Sequence, residues 1–94
     1  MVSKNVNVLP FVLGKNYFIR TVTHHYTGNL VAVYDKEIVL KNVAWIADDG
    51  RFQQALEKEN FSEIEMFPKD NEVLIGRGSI LDATQIKNLP TKQK

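Results

Sequence analysis

Apolar and polar residues alternate most clearly over residues 28–43, Gly-Asn-Leu-Val-Ala-Val-Tyr-Asp-Lys-Glu-Ile-Val-Leu-Lys-Asn-Val. Two β-rich runs, Asn29–Tyr34 and Glu37–Val43, flank the polar pair Asp35-Lys36. Successive strand side chains point to opposite faces, so Leu30 and Ala32 share one face, as do Ile38 and Leu40. A short polar break between two such runs predicts a β-hairpin. Upstream, Asn16–Thr23 alternates in the same way, with Tyr17, Ile19 and Thr21 against Phe18, Arg20 and Val22. His24–Gly28 reads as the turn into the hairpin, Gly28 supplying a positive φ. Residues 1–14 read as an extended arm or edge strand, interrupted by Pro10 and closed by Gly14.

Beyond Val43, Ala44-Trp45-Ile46-Ala47 reads as the end of the second hairpin strand. Asp48 or Asp49 then caps a helix over Gly50–Lys58, where Phe52, Ala55 and Leu56 recur at i, i+3 and i+4. Asn60 stops it. Phe61–Phe67 alternates again, Pro68-Lys69-Asp70-Asn71 is a turn, and Glu72–Ile75 and Ser79–Ala83 are the last strands, kinked at Gly76-Arg77-Gly78. Residues 85–94 form a polar tail, frayed at its end. About five short strands and one inserted helix predict a mainly all-β single domain over 1–94, a small, strongly bent barrel of SH3-like or OB type.

Composition narrows the classes. Ninety-four residues with 44% hydrophobic and 24% charged side chains suit one globular domain. No apolar run has the length of a membrane helix and the start lacks a signal-peptide core, so a cytoplasmic protein is expected. The absence of cysteine excludes disulfides, thiol nucleophiles and thiolate metal sites. Twelve basic residues against 11 acidic ones give no broad basic surface for a duplex, so any nucleic-acid contact has to come from local groups repeated by symmetry.

The order of elements resembles the two-part motif of the Sm and Sm-like (Hfq-type) family. The first part runs from Gly28-Asn29-Leu30 through Asp35 to Ile38-Val39-Leu40. The second is Val73-Leu74-Ile75-Gly76-Arg77-Gly78-Ser79-Ile80-Leu81. The resemblance covers roughly residues 16–84. It implies a five-stranded, strongly bent open barrel that assembles edge to edge into a homo-oligomeric ring, with its motif loops holding single-stranded RNA. Carried onto this chain, the RNA-binding residues are Tyr34, Asp35, Lys36, Arg77 and Gly78. The sequence departs from the family at Val39, where Sm proteins place an asparagine beside the bases, and at Gly76, where isoleucine is usual. The Thr-Gly and Gly-Arg-Gly elements also resemble small phage-encoded proteins, which implies the cytoplasm of an infected bacterium.

Each candidate also has a plainer reading. Arg77 is either an RNA contact or a turn arginine, exposed or paired with Asp82. Tyr34 is either a base platform or a barrel-face aromatic, and Asp35 and Lys36 are by default a solvated turn. Adjacent His24 and His25 face opposite sides of a strand, which opposes a metal site. Trp45 and Phe52 read as core or subunit-interface residues, and Glu57, Glu59, Glu63 and Glu65 as a solvated face. No nucleophile–base pair, phosphate loop or metal spacing is present, so neither enzyme nor cofactor is expected. The leading expectation is a ring binding single-stranded RNA. The alternatives are a phage structural or assembly ring without nucleic acid, and an oligomer that sequesters a nucleotide.

Overall fold

A computed structural model describes residues 11–94. The strands are β1 (Asn16–Thr21), β2 (His25–Val33), β3 (Glu37–Asp48), β4 (Glu63–Met66), β5 (Val73–Gly76) and β6 (Ile80–Ile86). One α-helix, α1 (Phe52–Lys58), lies between β3 and β4, and a 3-10 turn over Arg77–Ser79 joins β5 to β6. The domain is therefore mainly β, with the helix at the predicted place. All pairings are antiparallel, in the order β4-β3-β2-β1-β6, with β5 also on β3.

Six strands replace the expected five because the outer edge of β3 is shared. β4 pairs with Ala44–Asp48 and β5 with Glu37–Leu40, so the two lie end to end along one edge. The segment Phe67–Glu72, with the Pro68–Asn71 turn (Asn71 N to Pro68 O, 3.2 Å), separates them. The sheet is not a closed barrel: among the described residues no ladder joins β6 to β4 or β5.

Each face buries its own cluster. Tyr17, Ile19, Leu30, Ile38, Leu40, Val43 and Ile75 pack together on one. Phe18, Ala44, Ile46 and Ile64 pack with Ala55 of α1 and Phe61 on the other. Tyr17 and Ile19 thus oppose Phe18, as strand alternation requires.

Several expectations are corrected. His25–Gly28 is strand, not turn; the turn is closed at Thr21–His24, where Thr21 Oγ1 bonds both the N–H (3.0 Å) and the carbonyl (2.7 Å) of His24. Gly28 does not supply a positive φ. It lies buried in β2, where an added Cβ would stand 3.0 Å from Leu40 Cβ and 3.1 Å from Val43 Cγ2. Opposite it the β2–β3 register slips, and Asn42 takes a left-handed φ of 54°. A second slip between Leu30 and Ala32 pairs Ala32 with Val39 and leaves Val31 exposed, so alternation does not run unbroken through the strand.

The helix begins after Arg51, which makes no side-chain cap bond. Asp48 instead accepts from the Gly50 N–H (2.8 Å), and Asp49 bonds His25 Nδ1 (3.0 Å). The C-cap is Glu59 in the left-handed region, with Asn60 beyond it. The end of the chain is tied down, not frayed. Glu59 accepts from the backbone N–H groups of Lys87 and Asn88, and Ile64 and Lys94 exchange backbone hydrogen bonds of 3.1 Å each. Glu59 is therefore no solvated helix-face acid. The N-terminal arm expected over 1–14 lies outside the described residues except for its last part, where Phe11 packs on the Tyr17 ring and Gly14 has φ 85°.

Candidate functional site

The hairpin tip and the 3-10 turn meet. Tyr34 donates its N–H to the Glu37 carbonyl (2.8 Å), which turns the chain around Asp35-Lys36. Arg77 then bonds three consecutive tip carbonyls. Its backbone N–H reaches Lys36 O (2.8 Å), and its Nη1 reaches Tyr34 O (2.9 Å) and Asp35 O (3.4 Å). Tyr34, Asp35, Lys36 and Arg77, far apart in sequence, therefore form one surface with Gly78 beside them. Tyr34 is 56% exposed; Asp35, Lys36 and Gly78 are exposed, and Arg77 is half-buried.

Arg77 does not pair with Asp82. Asp82 belongs to Arg20, whose Nε lies 2.8 Å from its Oδ1, with a second contact from Nη2 to Oδ2. The hydrogen bond from Arg20 holds the Asp82 carboxyl below its ordinary range, against some desolvation, and raises the Arg20 guanidinium in turn. The Arg20 guanidinium also sits 4.8 Å over the Phe52 ring. Register explains the partner: β1 and β6 place Arg20 directly opposite Asp82.

Glycines usually flank a residue because the backbone or the packing demands it. Neither reason applies here. Gly76 and Gly78 lack positive φ, and among the described residues a Cβ on either would meet nothing within 4 Å. No described residue covers the space over either side of Arg77.

The two histidines part, His24 closing the turn and His25 opening β2. His25 packs edge-on against Phe18 and His24 against Trp45. Among the described residues no group of three or more His, Asp or Glu side chains converges as a metal site, and no helix is long and apolar enough to cross a membrane.

Trp45 and Phe52 are not core residues: they are 36% and 41% exposed. Trp45 stands in register between Tyr26 and Glu65, and these residues with His24, Met66, Phe67 and Pro68 line a groove of about 360 Å3. The signal was readable, since Trp45 is out of phase with Ala44 and Ile46 and so must face the other side. Comparison with protein-family models, curated proteins and solved structures finds no match for this chain.

Proposed function

We propose that this chain is an Sm-like subunit that assembles edge to edge into a ring and grips single-stranded RNA at the surface built by Tyr34, Asp35, Lys36, Arg77 and Gly78. The observation that carries the reading is the meeting of the two motif loops at Arg77. Single strands are held by stacking on aromatic or guanidinium planes together with cationic contacts to phosphate. Tyr34 offers an exposed ring. Lys36 and the part of the Arg77 guanidinium not engaged by the tip carbonyls offer the charge. Open space at Gly76 and Gly78 lets a nucleotide approach the backbone.

Support for a bent barrel comes from the 3-10 turn. Arg77 N–H bonds Lys36 beyond one end of β2, while Ser79 O accepts from Val22 N–H (3.0 Å) near its other end. Nine residues of straight strand would separate those ends by about 30 Å. A strong bend at the two register slips would bring them within reach of a three-residue turn.

Support for a ring comes from the sheet edges. Among the described residues, β5 pairs only with β3 and β6 only with β1, so each has an edge without a strand partner. Leu74 on β5 and Leu81 on β6 are 64% and 66% exposed. Pairing β5 of one copy with β6 of the next is a head-to-tail contact, which closes when its rotation divides a full turn.

Native mass spectrometry with and without oligo-uridine tests both parts. The expected result is a closed oligomer that takes up the oligonucleotide, with salt-dependent affinity. Arg77→Ala should weaken uptake about tenfold or more, and Gly78→Val should weaken it while the fold stands. A monomer at tens of micromolar overturns the ring. A ring indifferent to RNA leaves the structural-ring alternative, and binding of mononucleotides without length dependence favours nucleotide sequestration.

A further inference from the structure

The groove at the other end of the β2–β3 hairpin is built differently from the tip. Tyr26, Trp45 and Glu65 stand side by side on three adjacent strands. His24 packs edge-on to Trp45 (centroids 5.4 Å, 63° between planes) and tilts 42° to Tyr26, while Phe67 tilts 43° to Tyr26 at 6.4 Å. The four rings line one groove, and three of their pairs are inclined to one another, which makes a partial cage and not a flat stacking platform. Among the described residues, Glu65 is the one Asp, Glu, Lys or Arg side chain on its wall. Lys69 lines the neighbouring hollow behind Met66 and Phe67 instead.

We infer that this groove binds an organic cation with an apolar shell, a quaternary or methylated ammonium group. Ring faces carry negative quadrupoles, and several faces turned to one space attract a cation whose methyl groups also prefer an apolar wall. The exposed Glu65 carboxylate adds a full negative charge at the rim. The same charge opposes a nucleotide, whose phosphates would find no lysine or arginine on this wall among the described residues, His24 being its one basic group. A volume of about 360 Å3 is at the small end of ligand sites and suits a head-group or a modified side chain.

Trp45 is the single tryptophan of the chain, so emission excited selectively at tryptophan reads this groove alone. Titration of the full chain with choline should give a saturable change in Trp45 emission, and the uncharged isostere 3,3-dimethyl-1-butanol should bind at least about tenfold more weakly. Glu65→Gln, at an exposed position, should keep the fold and weaken choline several-fold while leaving the isostere unchanged. Equal binding of choline and its isostere would overturn the inference, leaving a merely apolar hollow. No saturable change with choline would also overturn it. Tighter binding of adenosine monophosphate than of choline would overturn it in favour of base stacking. None of these outcomes depends on RNA binding at Arg77.

Discussion

On one face of the sheet Tyr17, Ile19, Leu30, Ile38 and Leu40 pack with Ile75, all from strands. On the other, Phe18, Ala44, Ile46 and Ile64 depend on Ala55 and Phe61, which lie outside the strands. The buried side chains of the first face come from strands alone, with half-buried Phe11 and Phe67 packed at its margin. The second is closed by the segment between β3 and β4, and Phe61 is its keystone: it stacks on Phe18 with centroids 5.5 Å apart and planes 12° from parallel. A face closed by its own ladder fails only with the sheet, whereas a face covered by a separate segment can lose its cover first.

The largest test of that difference is Phe61→Ala. Both rings of the stack are about 1% exposed, so truncation should cost about 3–5 kcal/mol, read from a denaturation midpoint. Hydrogen exchange should rise first in α1 and β4; an equal rise in β1 and β2 would dissolve the distinction. Gly28→Val probes the strand-only face. Its new atoms would press on Leu40 and Val43, and overpacking there should cost about 1–3 kcal/mol with exchange rising across β2 and β3 together.

A smaller effect of opposite sign is expected at Thr27. Its Oγ1 is buried and has no hydrogen-bond partner among the described residues, on the face that carries Phe18 and Ala44. Thr27→Val should raise stability by about 1 kcal/mol, and a loss would mean that the hydroxyl has a partner after all.

The smallest concerns Glu59, which ties the helix to the end of β6. Partial desolvation raises its pKa, but the hydrogen bonds from Lys87 and Asn88 outweigh that and leave it lowered. A carboxyl more acidic when folded stabilises above the ordinary Glu range, about 4.3, and the contribution is lost as pH falls through the lowered folded value. Glu59→Gln should therefore cost less than about 1 kcal/mol at pH 7, since water still reaches and screens this half-buried group. The difference from the parent protein should shrink toward pH 3. A difference that persists in acid would mean the tie is not electrostatic.

These contrasts also explain what the sequence made legible. Alternation identified β1, β2 and β3 and both faces of Tyr17–Arg20, because a strand's period is local. It misplaced the turn before β2, because the mutual bonds of Thr21 with His24 outweigh the turn character of Gly28, a glycine retained for packing. It assigned Asp48 or Asp49 to the helix cap, whereas Asp48 holds the Gly50 N–H and Asp49 is drawn across to His25. The residues of the proposed RNA site were legible as motif positions. Their convergence on Arg77 was not, since it depends on β5 pairing with β3 so that Gly76 stands opposite Glu37 at the hairpin tip. The aromatic groove was missed because three strands had to be laid side by side before Tyr26, Trp45 and Glu65 became neighbours.

The bonds between Lys94 and Ile64 have a consequence for solution behaviour. Together with the Gln93 side chain on the Met66 N–H, they lay the last residues along the outer edge of β4 like a short extra strand. That edge is then covered, while β5, on the same side of β3, has no second strand partner among the described residues. Removing residues 89–94 would uncover a second sticky edge at β4. Such a truncation should convert a discrete species into heterogeneous, light-scattering aggregates even where the core stays folded.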